Sequence, residues 1–179
     1  MADAKQNSST KLLWVDLEMT GLLPVQDRIL EIAAIVTDFD FNEIERYESV
    51  IYQPDTILKL MNEWARQTHT ASGLLDRLKD GPNEESVVLE FSDFIKRNFN
   101  TEPAILAGNS IHQDRRFIRQ WWPAVDRQLH YRMLDVSSFK IIMQNKYNIS
   151  FTKKETHQAL NDIEESIAEL KYYLKTLNQ

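Results

Sequence analysis

Cysteine is absent from the 179-residue chain, which removes disulfides, thiolate zinc sites and a cysteine nucleophile at one stroke. No run of residues is apolar and long enough to span a bilayer. The opening stretch, Met1 to Thr10, is polar, carries Asp3 and lacks an apolar core, so it fits neither a secretory signal nor a transit peptide. It reads as a flexible tail, and the protein as cytoplasmic. No internal repeat, low-complexity segment or linker interrupts the remainder, so residues 11–179 are expected to form a single domain. At 42% hydrophobic and 27% charged residues, that domain has the balance of a soluble globular protein with a sizeable core.

An excess of positive charge is also missing: the formal net charge is −6. A protein that grips long nucleic acid usually presents a broad basic surface, because neutralised phosphates supply most of the affinity. Here basic residues gather only locally, as Arg115, Arg116, Arg119, Arg127 and Arg132. That cluster reads either as a place to hold one short nucleic acid or as a solvated helix face.

The most informative stretch is Leu12-Leu13-Trp14-Val15-Asp16-Leu17-Glu18-Met19-Thr20-Gly21. Strand-forming apolar residues lead to two carboxylates spaced two apart, so Asp16 and Glu18 share one face while Leu17 turns away. Half-buried like charges repel and are costly to keep ionised. Either the strand simply ends in polar residues, or a divalent cation such as Mg²⁺ or Mn²⁺, which suits hard oxygen ligands, sits between them.

The rest of the chain supplies the frame. Residues 28–38 read as a second strand, Asp38 to Asn42 as a turn, and 44–52 as a third strand, completing an antiparallel meander. Residues 58–78 read as two short helices broken around Thr68-His69-Thr70. After the breaker Asp80-Gly81-Pro82-Asn83, residues 84–98 form an amphipathic helix carrying Val87, Val88, Phe91 and Ile95. A short buried strand follows at 103–108. Asn109-Ser110 offers N-capping chemistry for a helix over 113–122, ended by Pro123. A last strand at 131–134 and a helix at 136–146 precede the final helix, 157–177, with Leu160, Ile163, Ile167, Leu170, Leu174 and Leu177 at three- and four-residue steps. This order predicts an α/β fold: a mixed five-stranded sheet, three strands in a meander and two joined by helical crossovers, flanked by helices. Ligands favour the carboxyl ends of strands in such sheets, where Asp16 and Glu18 lie.

Two further acids stand out. Asp114 begins a helix, where its charge is favourable for structural reasons alone. Asp162 borders the apolar stripe of the last helix, where aspartate is unfavourable by propensity. His157 precedes Asp162 by five residues; at about 100° per residue the two share a site only if His157 sits at or before the helix start, with Thr156 as cap.

Asp-x-Glu at a strand end, Asp at a helix start and His-x₄-Asp late in the chain resemble the four-acid-plus-histidine 3′→5′ exonuclease superfamily, whose fold is ribonuclease H-like. WVDLEMTGL (14–22), THTASGL (68–74), GNSIHQDRRF (108–117), HYRMLDVS (130–137) and THQALNDIEESIAEL (156–170) resemble the oligoribonuclease family, from about Lys11 onward. Two departures are visible: His112 where relatives often have glycine, and Asn161 where an acid often precedes the last aspartate.

The resemblance implies roles. Asp16 would bridge two divalent cations, Mg²⁺ or Mn²⁺, with Glu18 and Asp162 on the nucleophile side and Asp114 acting largely through bound water. His157 would take the proton from the attacking water, its unperturbed pKa of about 6.5 being suited to that. Leu22 and Trp64 would contact the bases, although Trp64 by itself equally fits core packing. Ser110, Arg132 and Ser137 would cap the 5′ end, with His69 and Gln113 also in the substrate set. A closed cap favours single-stranded RNA of roughly two to five nucleotides, held in part by base stacking. Tyr131 would reach a partner subunit, implying a homodimer. The rival expectations are a proofreading or tRNA-trimming exonuclease, a catalytically silent dinucleotide-binding module, and a structural protein.

Overall fold

The computed structural model describes residues 10–152 and 158–177. The tail assigned to Met1–Thr10 therefore lies outside the described residues except for Thr10, and so do His157 and its expected cap Thr156.

The first strand, β1 (Lys11–Met19), pairs antiparallel with β2 (Ile29–Asp38), which pairs antiparallel with β3 (Glu43–Val50). Short helices α1 (Asp55–Leu58), α2 (Glu63–Ala71) and α3 (Leu74–Arg77) lead through a single 3₁₀ turn to α4 (Glu84–Phe99). Then come β4 (Ala104–Gly108), α5 (His112–Trp121), α6 (Pro123–Asp126), β5 (Leu129–Asp135), α7 (Val136–Tyr147) and α8 (Ala159–Leu177). The sheet order is β3-β2-β1-β4-β5, with β4 parallel to both β1 and β5. This is the mixed five-stranded sheet with flanking helices that the sequence predicts.

The alternation in β1 sorts its side chains between two cores. Leu13, Val15 and Leu17 pack with Phe91, Phe94 and Phe117 under α4 and α5. Leu12 and Trp14 pack with Ile163, Ile167 and Leu170 of α8. The Trp14 indole N–H donates to the Thr37 hydroxyl at 3.0 Å, so its polar atom is satisfied inside that core. Asp16 and Glu18 continue the Leu12–Trp14 face, so they emerge beneath the first turns of α8. A third cluster joins Leu30 to Met61, Ala65, Leu74 and Leu78 and docks α2 and α3 against the end of the sheet. Leu30 reaches it because the β1–β2 register shifts between Glu18 and Met19. Such a bulge re-aims side chains at a strand end.

The structure corrects the expected elements in two places. Thr68-His69-Thr70 does not break a helix; it lies inside α2, where His69 is buried and packing overrides modest helix propensity. The break falls at Gly73, whose φ of 74° only glycine adopts cheaply. Nor does Asn109-Ser110 cap α5. The N-cap position is Ile111, without a side-chain hydrogen bond. Ser110 takes a positive φ of 50° and directs its N–H to Asp135 and Ser137 instead. Pro123 does end α5, and its fixed φ then opens α6.

Candidate active site

Three of the expected acids converge. Oxygens of Asp16, Glu18 and Asp162 all lie within 4.8 Å of one another, although Asp162 is distant in sequence. Asp114 stands beside this group rather than in it. Pairing of β1 with β4 covers Leu12 to Trp14 only, which leaves the Leu17 N–H for the Asp114 carboxylate at 3.0 Å. Asp114 is thus tied to the backbone between Asp16 and Glu18.

Electrostatics mark the site. The Glu18 carboxyl is pushed up to about 8, first by burial and then by the charges of Glu31, Asp162 and Asp114. Burial likewise raises Asp114, against the opposing hydrogen bonds from backbone N–H groups. Among the described residues lining the cleft there is no lysine or arginine to offset this charge. A crowded, all-oxygen, partly desolvated carboxylate set fits a hard divalent cation. Among the described residues, His69 supplies the one basic side chain in the lining. It is 2% exposed, its Nε2–H donates to the Met19 carbonyl at 2.8 Å, and its Nδ1 lies 3.8 Å from Glu18.

The acids form one wall of a cleft of about 430 Å³ that is also lined by Gly21, Leu22, Asn62, Trp64 and His69. Leu22 and Trp64 are 61% and 65% exposed, so Trp64 is no core residue. The Leu22 loop is held from behind by Asp27, which accepts from the Thr20 hydroxyl at 2.9 Å and the Leu23 N–H at 2.8 Å. A Cβ at position 21 would come to 2.5 Å from the Asp27 carboxylate, so any side chain there must displace this brace. Trp121 completes the brace: its indole donates to the Pro24 carbonyl, and the Arg28 guanidinium lies 3.6 Å from its ring centre.

Asp162 is placed by α8, and α8 is pinned to the end of β4 by Asn109. The Asn109 amide donates to the Ser166 hydroxyl at 2.8 Å and to the buried Glu169 at 3.1 Å, while Ser166 donates to the Asp162 carbonyl at 2.7 Å. The same side chain accepts from the Ser137 hydroxyl at 3.3 Å. Ser137 and Ser110 meet at 3.2 Å, and Asp135 accepts from both of their N–H groups. The two serines of the expected cap therefore form one cluster, joined to α8.

The remaining expected residues lie elsewhere. Gln113 accepts from Arg116 at 2.6 Å. Tyr131 is 73% exposed on the edge strand β5, with Arg132 laid over its ring. Neither lines the cleft. His112 directs Nδ1 to Asp135 at 3.6 Å, and Asn161 donates to Gln158 at 2.8 Å. Sequence reasoning missed Asn109, Asp135, Asp27 and Asn62. For Asn109 and Asp135 a signal existed: polar residues standing at a strand's carboxyl end, as Asp16 and Glu18 do.

A β3-β2-β1-β4-β5 sheet with acids gathered at the end of its central strand defines a class, the exonuclease domain of ribonuclease H-like fold. The model of the RNase_T exonuclease family matches residues 13–170. The chain is 48% identical over 175 residues to an oligoribonuclease of Francisella tularensis subsp. tularensis, covering 95% of this chain and 97% of that one. It is 47% identical over 167 residues to the oligoribonuclease of Haemophilus ducreyi, covering 90% and 91%. The chain belongs to the oligoribonuclease family within the exonucleases. Its fold is also that of Escherichia coli exonuclease I bound to a dT13 oligonucleotide, with a TM-score of 0.70 at 18% identity over 92% of this chain and 41% of that one. Exonuclease I from Methylocaldum szegediense gives a TM-score of 0.72 at 17% identity over 94% and 41%. At these identities the likeness speaks for the fold.

Proposed function

We propose that the chain is a 3′→5′ exoribonuclease that hydrolyses very short single-stranded RNA to 5′-mononucleotides, the last step of RNA breakdown. The observation that carries this reading is the meeting of Asp16, Glu18 and Asp162 in the wall of a cleft whose outer lip is Leu22 and Trp64. Asp16, Glu18 and Asp162, with Asp114 beside them, would hold two divalent cations, Mg²⁺ or Mn²⁺. Such cations supply Lewis acidity at the attacked phosphate and relief of charge on the leaving oxygen.

The protein's own groups do the rest. His157 acts as general base, taking the proton of the attacking water. Leu22 and Trp64 sandwich the bases, an interaction worth about 1–3 kcal/mol per base that tolerates any sequence. Buried His69 holds the strand end through Met19 and faces Glu18, so it serves the acids as well as the substrate. Ser110, Ser137 and Arg132 close over the 5′ end, and Gln113 exchanges Arg116 for the substrate. We further propose a homodimer, supported by exposed Tyr131, Ile141 and Ile142 on β5 and α7. We also propose a cytoplasmic setting. Among the described residues no helix is long and apolar enough to cross a membrane.

The test is a ladder of 5′-labelled RNAs from a dinucleotide to a 20-mer, with initial rates measured at fixed Mn²⁺. Rates should fall steeply beyond the shortest members, and 5′-mononucleotides should accumulate. Comparable rates on the dinucleotide and the 20-mer would reject the cap and point to an exonuclease of longer ends; no nucleotide release would reject the enzyme.

A further inference from the structure

Glu31 is the one charged residue in the fully buried run Ile29 to Thr37 of β2, and it is 1% exposed. It is also the register partner of Glu18 across the β1–β2 pair. Residues directly opposite in an antiparallel pair point to the same face, with Cβ atoms about 4.5–5.5 Å apart, and like charges there repel. Among the charges that act on Glu18, that of Glu31 is the largest. A buried acid behind a metal-binding acid is an expensive arrangement, and the role of Glu31 in the site above is unassigned.

Its partner is Arg77. The guanidinium donates to the Glu31 carboxylate at 2.6 Å and also lies 3.7 Å from Glu48 on β3. Arg77 arrives there through the THTASGL segment. Gly73 turns the chain in its left-handed conformation, and Leu74 and Leu78 then anchor α3 in the cluster around Leu30. The same segment therefore sets His69 against Glu18 and Arg77 against Glu31.

We infer that Arg77 is a positioning residue for the metal centre: its ion pair holds Glu31 back so that Glu18 is left to the cation. This rests on the metal-binding reading of Asp16, Glu18 and Asp162. Glu31 is buried while Arg77 is partly exposed, so removing the arginine leaves a buried carboxylate without its counter-charge directly opposite Glu18. The side chains it then faces include Glu48, already in a hydrogen bond with it, and Glu18 across the strand pair. Residues behind metal ligands typically alter metal affinity 10- to 100-fold when changed.

The experiment measures Mn²⁺ binding by calorimetry and by loss of the free-ion electron paramagnetic resonance signal, in full-length wild type, Arg77→Met, Arg77→Lys, Glu31→Gln and the Arg77→Met/Glu31→Gln pair. Melting temperatures are recorded alongside. Arg77→Met should weaken Mn²⁺ binding about tenfold or more. Arg77→Lys should restore part of it, and the double variant should return to within about threefold of wild type. The Mn²⁺ concentration for half-maximal activity should rise in Arg77→Met, with kcat at saturating Mn²⁺ largely kept. If wild type binds Mn²⁺ and Arg77→Met binds it equally well, the inference is overturned while the metal site stands. A double variant as weak as Arg77→Met overturns it too, since a merely structural arginine would not be rescued or spared by neutralising Glu31. No Mn²⁺ uptake by wild type would overturn the metal site and the inference together.

Discussion

Replacing Glu18 by glutamine should make the metal-free protein more stable while destroying its activity. Glu18 ionises near 4.5 in an unfolded chain and at about 8 in the folded one, because burial and neighbouring carboxylates penalise its charge. Between those two values the folded state carries a proton that the unfolded state has released. Stability therefore falls as pH rises through this window. Each pH unit costs up to about 1.36 kcal/mol. A cleft open to water relaxes part of that, leaving a penalty of roughly 1–3 kcal/mol near pH 7.5. Glutamine keeps the shape and removes the penalty. In a chelator at about pH 7.5, Glu18→Gln should melt roughly 2–12 °C above wild type, given about 2–4 °C per kcal/mol for a chain of this size. Near pH 5 the gap should close, because the unfolded chain then begins to hold a proton on Glu18 as well, and folding no longer has to take one up. Added Mn²⁺ should raise the melting temperature of wild type and much less that of the variant, because ligand binding stabilises only the state that binds. A gap that does not change with pH, or equal stabilisation of both proteins by Mn²⁺, would refute the electrostatic account of the site.

Three other outcomes can be checked directly. Asp162→Asn and His157→Ala should each lower kcat by orders of magnitude without altering the far-ultraviolet circular dichroism spectrum; full activity in either would remove that residue from the mechanism. Gly21→Ala should lower stability and loosen dinucleotide binding, because the new Cβ meets the Asp27 carboxylate, and an unchanged KM would show that the Leu22 loop is not braced as described. Asn109→Ala should reduce kcat about tenfold or more through loss of the Asp162 placement, at a stability cost of about 1–3 kcal/mol for the stranded buried partners; wild-type turnover in that variant would show that α8 needs no such pin.

Much of this architecture can be read from the residues because the relevant signals are periodic. The alternation of β1 assigns Asp16 and Glu18 to one face, and the stripe of α8 leaves Asp162 at its edge. Topology then brings the two elements together. Other features depend on tertiary partners and leave no local trace. Thr68-His69-Thr70 has the composition of a break yet stays helical, because His69 finds the Met19 carbonyl and a buried seat. Asn109-Ser110 has the composition of a cap, yet α8 and β5 offer its groups better partners. Glu31 in an apolar strand is conspicuous in sequence. Its meaning depends on a register with Glu18 and an arginine far along the chain, and neither is visible before the sheet is assembled.

Asn109 has a consequence for the proposed substrate cap. One amide side chain grips the hydroxyl that meets Ser110 with its oxygen and the helix that carries Asp162 with its nitrogen. The spacing between those two regions is thus built in at a single residue, and neither jaw can drift without pulling the other. In the function proposed above, a molecule that reaches from the serine cap to Asp162 must match a ruler set by the protein, so length would be measured rather than tolerated.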